Sequence, residues 1–276
     1  MDKKNYVINL HFTDFCNYNC KYCFVDKKKN ELSLDKIKTI VDKISNYFTS
    51  MEIIGRINLV GGEPLMYKDI QNIIDYIISK KVEASIVTNG SKLDEKFIIN
   101  NRRKLSMIGI SIDSLDPITN KKIGRCNCNN TLNEEELIKI CKIIKRNNIQ
   151  LKINHCISKY NQKEDISNFI EIVKPDRFKL FQMTVINGIN EKEKCMQITD
   201  SEFLNCCKKY EKFNPIIEKE EEMKNSYFII DSLGNLYNDR SEKPLCNVIT
   251  DEFKSIMKNS KINKEAYDKR YAQFVK

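Results

Sequence analysis

The chain has 276 residues, of which 41% are hydrophobic and 31% are charged, so it is long enough for a large α/β domain with a substantial core. Its net charge is +9, but the lysines are scattered and form no basic block with interleaved aromatics, so no nucleic-acid partner is expected. No stretch approaches the roughly 20 apolar residues of a membrane span. No signal peptide precedes the 11 cysteines, so we expect a reduced, cytoplasmic protein without membrane association.

Short apolar runs alternate with helical periods along the first two thirds of the chain, a pattern that predicts βα units and a parallel sheet. The predicted strands are residues 6–12, 56–60, 83–88, 107–112, 150–157 and 178–182. The predicted helices are residues 35–48, 70–78, 94–101, 134–146 and 163–173, with N-caps at Ser33 and Asn133. Six units are fewer than the eight of a closed barrel. We therefore predict an α/β fold in which residues 1–185 form an open, partial (β/α)6 TIM-like barrel.

The alternation of predicted strands and helices ends after residue 182. Residues 187–198 are polar and loop-like, a helix is predicted at 200–212, and residues 227–230 and 235–237 flank a Ser-Leu-Gly turn as a hairpin. The remainder has a helical pattern, and no linker separates it from the barrel. We predict that residues 186–276 form a C-terminal α/β cap that completes the site.

Cys16, Cys20 and Cys23 follow the first predicted strand directly, in the spacing C-x3-C-x2-C. Loops at the carboxyl ends of the strands form the site of an α/β barrel. Cysteine thiolates hold [4Fe–4S] clusters, and three of them would leave one iron open to chelate a small molecule. A zinc site with a distant fourth ligand is the alternative that the spacing leaves open. Because no second tight cysteine triplet occurs, one cluster is predicted.

The second predicted strand ends in Gly61-Gly62-Glu63-Pro64. Two glycines let a backbone approach a ligand closely because no Cβ intervenes, and the carboxylate of Glu63 suits an ammonium group. Such a turn is a weak signal alone, but its position after the second strand matches that of the cysteines after the first.

Together, C-x3-C-x2-C and GGEP resemble the radical S-adenosylmethionine superfamily. Further segments resemble viperin and its prokaryotic relatives; they read INLHFT from Ile8, SIVTNGS from Ser85, ISIDS from Ile110, IGR from Ile123, FKLFQ from Phe178 and SY from Ser226. The resemblance implies a [4Fe–4S] cluster and S-adenosylmethionine as cofactors, which yield a 5′-deoxyadenosyl radical. It also implies that a ribonucleoside triphosphate (CTP, UTP or GTP) loses its C4′ hydrogen to this radical and becomes its 3′-deoxy-3′,4′-didehydro form, in antiviral defence. An electron donor such as flavodoxin or ferredoxin would be needed.

The same resemblance assigns roles to individual residues. The S-adenosylmethionine cleft is lined by Gly61, Gly62, Glu63, Asn89 and Ser111. The resemblance implies that Arg56, Arg125, Lys152 and Lys179 bind the substrate. Asn9 alternates with His11 on one face of the first strand and is a candidate hydrogen-bonding partner of the substrate. Tyr227 is the catalytic proton donor, although a half-buried hairpin aromatic is an equal interpretation.

The residues themselves support some of these roles more than others. Lys152 and Lys179 sit inside apolar strands, where a lysine normally needs an anionic partner, whereas Arg56 and Arg125 also fit solvated surface cations. Cys126 replaces a glycine that often follows Ile-Gly-Arg in viperin-like chains. Two other functions stay open: another radical S-adenosylmethionine enzyme, such as a GTP cyclase of cofactor biosynthesis or a peptide-modifying enzyme, and a non-catalytic iron–sulfur redox sensor.

Overall fold

The computed structural model describes residues 5–26, 28–128, 130–238, 243–260 and 262–271. The strands are β1 (Asn5–His11), β2 (Ile54–Val60), β3 (Glu83–Thr88), β4 (Leu105–Ser111), β5 (Gln150–Ile157), β6 (Arg177–Gln182), β7 (Ile216–Glu218), β8 (Phe228–Ile230), β9 (Asn235–Tyr237) and β10 (Cys246–Asn247). The helices are α1 (Leu34–Ser50), α2 (Ile70–Ser79), α3 (Glu95–Asn101), α4 (Pro117–Ile123), α5 (Glu134–Arg146), α6 (Ser167–Val173), α7 (Asp200–Lys208), α8 (Glu220–Met223), α9 (Phe253–Asn259) and α10 (Lys264–Tyr271). Short 3-10 turns lie at Pro64–Met66, Glu191–Met196 and Glu211–Phe213.

The chain divides into two compact units. The first unit comprises residues 1–15, 27–86 and 222–276, and the second comprises residues 16–26 and 87–221. Among the described residues, no helix combines the length and the apolar character that a membrane crossing requires.

In the first unit, β1, β2 and β3 run parallel, and β8 joins β1 on its other side, also in parallel. Antiparallel pairing of β8 with β9 and of β9 with β10 extends the unit further, so the predicted C-terminal hairpin is confirmed. The helix α10 is tied to β1 because the backbone N–H of Val7 donates to the hydroxyl of Tyr267 at 2.6 Å.

Alternation along the strands of the first unit separates an apolar face from a polar one. The fully buried side chains include Ile8, Leu10, Ile57 and Leu59, and α1 is buried along Ile37, Ile40 and Ile44. Ser33 caps α1 through Lys36 N, as predicted. The opposite face of the same strands carries Asn9, Arg56, Asn58 and Ser85. The apolar face of these strands is therefore the one that packs against helices, and the polar side chains lie on the opposite face.

In the second unit, β4, β5, β6 and β7 are all parallel. Ile153, Phe178 and Leu180 are buried on one face together with Phe169 and Ile170 of α6. The opposite face carries Ser111, Lys152, Asn154 and Lys179.

The six predicted strands are present in the predicted order with helices between them, although the helix predicted for residues 163–173 begins at Ser167. The elements α4, β7, α8 and β10 were not predicted, and β10 lies in the remainder for which a helical pattern was expected. α4 is seven residues long and one of its few apolar side chains, Ile118, is 64% exposed, so it has no helical apolar stripe. β7 has three residues, too few to show an alternating pattern. The predicted helix 200–212 ends at Lys208 in α7, followed by the turn Glu211–Phe213.

Candidate functional site

Residues 16–26 of the second unit form a loop, called here the cysteine loop, that carries Cys16, Cys20 and Cys23. It is anchored to the end of α4: Asn19 N donates to Gly124 O at 3.0 Å, and Lys21 N donates to Ile123 O at 2.8 Å. Gly124 has φ of +83°, and a Cβ there would overlap the carbonyl oxygen of Asn19. This close approach therefore requires glycine at position 124.

The sulfur of Cys16 receives N–H donors. Tyr18 N donates to Cys16 Sγ at 3.3 Å, and the amide of Asn89 lies 3.8 Å from the same sulfur and 2.9 Å from Asn17 Oδ1. Hydrogen bonds to sulfur are among the features by which a protein tunes an iron–sulfur centre. Asn89, predicted to line the cofactor cleft, thus lies beside the first cysteine. Burial raises the pKa of the Cys20 thiol to about 12, so iron binding has to displace its proton.

Three cysteines in one loop match the ligand set that would leave one iron of a [4Fe–4S] cluster open. None of the eleven cysteines, all of which are described, forms a disulfide. Among the described residues, no three His, Cys, Asp or Glu side chains converge closely enough to hold one metal ion. A zinc ion needs all its sulfur ligands about 2.3 Å from a single centre, whereas the cysteines of a [4Fe–4S] cluster bind separate irons.

The Gly-Gly-Glu-Pro turn belongs to the first unit and packs against residues 13–15, which lead in sequence to Cys16. Gly62 N donates to Thr13 O at 2.6 Å, and Glu63 N donates to Phe15 O at 2.7 Å. A Cβ at Gly62 would overlap the carbonyl oxygen of Phe15, and one at Gly61 would overlap that of Thr13. The carbonyl oxygens of Thr13 and Phe15 thus occupy the space that side chains at Gly61 and Gly62 would fill. Glu63 is fully buried and caps the turn Pro64–Met66 by accepting from Leu65 N at 3.0 Å.

On the polar face of the first unit, three side chains in register form a hydrogen-bonded row. Ser85 Oγ donates to Asn58 Oδ1 at 2.8 Å, Asn58 Nδ2 donates to Asn9 Oδ1 at 2.8 Å, and Asn9 Nδ2 donates to Phe228 O at 3.2 Å. Arg56 is buried on the same face, two residues before Asn58. Asn58 and Ser85 were not identified from the sequence, although their strand positions share the face of Asn9.

The polar face of the second unit is cationic. Lys152 is in register with Arg177, and Asn154 with Lys179. Lys179 forms an ion pair with Glu218, and the two side chains are 3% and 4% exposed. Arg177 is buried and was not predicted as a site residue. It lies two residues before Lys179 and therefore on the same face of the strand.

Arg125, predicted as a substrate ligand, forms a tight ion pair with Asp113. Its Nε and Nη2 both lie 2.5 Å from Asp113 Oδ2, and its Nη1 donates to Ser111 O at 3.3 Å. Burial of the guanidinium lowers its pKa, but Asp113 outweighs this and raises the pKa of Arg125 well above its ordinary value. Asp113 itself was not singled out, because nothing in the sequence reveals its partners.

Tyr227 is half-buried immediately before β8, with the guanidinium carbon of Arg270 3.7 Å from its ring centre. Arg270 is 2% exposed and donates to Ser226 O, to Ser226 Oγ at 2.9 Å and to Glu222 O at 3.2 Å. Both readings of Tyr227, proton donor and packed aromatic, are compatible with this cation–π contact. The two histidines of the chain, His11 and His155, are buried.

Comparison with known proteins identifies the family. The profile of the Radical SAM superfamily matches residues 10–173. An S-adenosylmethionine-dependent nucleotide dehydratase of Psychrobacter lutiphocae is 33% identical, over 85% of this chain and 82% of that protein. Another, from Selenomonas ruminantium, is 28% identical over 97% of this chain and 99% of that protein. The chain belongs to the radical S-adenosylmethionine superfamily, in the family of these dehydratases.

Solved structures share the fold of this radical S-adenosylmethionine protein. Streptococcus suis SuiB bound to S-adenosylmethionine matches 96% of the chain and 67% of its own, with a TM-score of 0.68 and 15% identity. The structure of anSMEcpe with bound AdoMet and Cp18Cys peptide matches 95% of the chain and 83% of its own, with a TM-score of 0.69 and 13% identity. The predicted α/β fold of the radical S-adenosylmethionine type is confirmed, and membership of the superfamily confirms the [4Fe–4S] cluster and S-adenosylmethionine as cofactors.

Proposed function

We propose that the protein is a nucleotide dehydratase that converts a ribonucleoside triphosphate (CTP, UTP or GTP) into its 3′-deoxy-3′,4′-didehydro form. The observation that carries the proposal is the similarity, over most of both chains, to relatives named S-adenosylmethionine-dependent nucleotide dehydratase. The cationic face of the second unit supports it, because a triphosphate needs several positive donors.

Bound together, the cluster and S-adenosylmethionine supply the radical that removes the C4′ hydrogen. The 3′-hydroxyl then leaves as water, which consumes one further electron and one proton. We propose that the proton comes from Tyr227 and that an electron carrier such as flavodoxin or ferredoxin supplies the electrons.

Residues of each unit have distinct proposed tasks. In the second unit, Lys152 and Lys179 bind phosphate oxygens, and Lys179 shares its ammonium between Glu218 and the substrate. The N–H groups of Arg125 that Asp113 and Ser111 leave over are also available to an anion. In the first unit, Asn9 and Arg56 are the proposed substrate ligands.

The remaining proposals concern the cofactor and the cell. We propose that Gly61, Gly62 and Glu63 in the first unit, and Asn89 and Ser111 in the second, bind S-adenosylmethionine. Residues 1–185 carry the cluster, and residues 186–276 complete the nucleotide site. Eleven cysteines without a disulfide support a reducing, cytoplasmic location, and an antiviral role follows from the proposed product.

The test is anaerobic. The protein is reconstituted with iron and sulfide, reduced, and mixed with S-adenosylmethionine and CTP, UTP, GTP or ATP in turn. Mass spectrometry should find a nucleotide lighter by one water together with an equal amount of 5′-deoxyadenosine. 5′-Deoxyadenosine without an altered nucleotide would keep the superfamily assignment and remove the dehydratase. A rearranged GTP of unchanged oxygen content would favour a cyclase instead.

A further inference from the structure

Asp113 lies just beyond the end of β4, is 1% exposed, and gathers four donors within the second unit. Its Oδ2 accepts from Tyr22 Oη at 2.7 Å and from the guanidinium of Arg125, and its Oδ1 accepts from Cys156 N at 2.8 Å. Its own carbonyl accepts from Asn161 Nδ2 at 2.6 Å. A buried carboxylate with so many donors is fixed in place, because moving it would leave several polar groups unsatisfied.

Two of these donors, Tyr22 and Arg125, connect Asp113 to the cysteine loop. Tyr22 stands between Cys20 and Cys23, and its ring is buried against Ile123, Met183 and Met196. Arg125 follows Gly124, whose carbonyl accepts the loop N–H of Asn19. Asp113 therefore holds the loop directly through the Tyr22 hydroxyl and indirectly through the segment at Gly124 and Arg125.

Asp113 and Arg125 carry opposite charges, and both lie near Cys20. The backbone of Gly124, the residue before Arg125, lies against Cys20, because a Cβ at Gly124 would be 3.4 Å from the Cα of Cys20. Asp113 accepts from the hydroxyl of Tyr22, which lies two residues after Cys20. The reduction potential of an iron–sulfur cluster depends on the net charge and the hydrogen bonds around it. The pair is thus in a position to balance the charge that a cluster at Cys20 experiences.

We propose that Asp113 is a positioning residue that fixes the cysteine loop through Tyr22 and, together with Arg125, sets the reduction potential of the cluster. The proposal concerns the cluster alone and does not depend on the identity of the substrate.

The first readout is the midpoint potential of the reconstituted protein, measured by redox titration with electron paramagnetic resonance. Asp113→Asn leaves the positive charge of Arg125 uncompensated and should shift the potential upward. Arg125→Gln leaves the negative charge of Asp113 and should shift it downward, while Arg125→Lys keeps the charge and should largely restore the original value. A role limited to folding predicts no such opposition of sign.

The second readout uses the full chain before reconstitution, so it does not depend on the loaded enzyme. Alkylation of Cys20 by iodoacetamide, followed by peptide mass spectrometry, should become about tenfold faster in Tyr22→Phe, as expected for the loss of one charged hydrogen bond. The exposed Cys16 serves as the internal reference. Tyr22→Phe removes only a hydroxyl, so this arm stands even if Asp113→Asn fails to fold.

The matched control is Asp116→Asn. Asp116 lies three residues further along, is exposed, and caps α4 by accepting from Ile118 N at 3.1 Å and Thr119 N at 3.0 Å. Asparagine caps a helix as well as aspartate does, so this variant should leave both readouts unchanged. Potentials of Asp113→Asn and Arg125→Gln that shift in the same direction or not at all, or Cys20 labelling in Tyr22→Phe that matches the parent protein, would overturn the proposal.

Discussion

Replacing Lys179 with Met should lower the melting temperature by about 6–20 °C, because it breaks a buried ion pair. Lys179 and its partner Glu218 have side chains that are only 3% and 4% exposed. Removing one member of such a pair costs about 3–5 kcal/mol, since the other charge stays buried and uncompensated. A protein of this size loses about 2–4 °C per kcal/mol, which gives the expected range.

The double variant Lys179→Met with Glu218→Met separates the pair from the rest of the site. An apolar pair of similar volume removes both buried charges, so the double variant should recover most of the lost stability. It should nevertheless bind nucleoside triphosphate more weakly than the parent, because the proposed phosphate ligand is gone. A stable protein with weak nucleotide binding would assign Lys179 to the substrate and not merely to the fold.

The assay is thermal unfolding of the reconstituted protein under anaerobic conditions, followed by circular dichroism. Lys212→Met is the control, because Lys212 pairs with Glu171 at 2.9 Å with both side chains about three-fifths exposed. Such a surface pair contributes about 0.2–1 kcal/mol, so the melting temperature should change by at most about 4 °C. The ion pair contributes little to stability if Lys179→Met behaves like this control, or if the double variant is no more stable than Lys179→Met.

Three further outcomes are expected. Gly62→Ala should reduce the iron retained after reconstitution, because its Cβ overlaps a carbonyl oxygen, whereas Met66→Ala, at a 44% exposed side chain, should not. Burial lowers the pKa of His155 below its ordinary value of 6.5, so the unfolded chain takes up this proton more readily than the folded protein. The free energy of unfolding should therefore stay constant above pH 6.5 with respect to this group and decrease below it, by at most about 1.4 kcal/mol per pH unit. Urea titrations at several pH values should find a smaller decrease in His155→Gln. Cys20→Ala should abolish the cluster absorbance, whereas Cys128→Ala, which removes an exposed thiol outside the triplet, should preserve it.

The strands and the cofactor motifs could be predicted because their signals are local. A strand such as β5 alternates between buried and more exposed side chains within eight residues, and the three cysteines are recognised from their spacing alone. Lys179 was identified as a buried lysine in need of an anion by the same local logic.

The partners of the charged residues could not be predicted, because tertiary structure decides them. Glu218 reaches Lys179 only because β7 pairs in register with β6, and β7 is too short to be recognised. The role of Asp113 depends on contacts with Tyr22 and Arg125 that no spacing reveals. The glycines of Gly61-Gly62 were correctly seen to permit a close approach, but the approaching group is the backbone of residues 13–15.

The two polar faces differ in a way that bears on where phosphate is bound. In the first unit the row from Asn9 to Ser85 is neutral and satisfies its own hydrogen bonds, and a single proposed substrate cation, Arg56, lies on the same face. The corresponding positions of β5, β6 and β7 in the second unit carry three cations, Lys152, Arg177 and Lys179, and the carboxylate of Glu218, which pairs with Lys179.

Buried charge of one sign is costly unless an anion compensates it. On the proposed function, we expect the triphosphate to bind mainly at the second face, where neighbouring strands bring several cations together. On this argument charge removal at Lys152 should weaken triphosphate binding more than charge removal at Arg56, and the loss should diminish as salt screens the interaction.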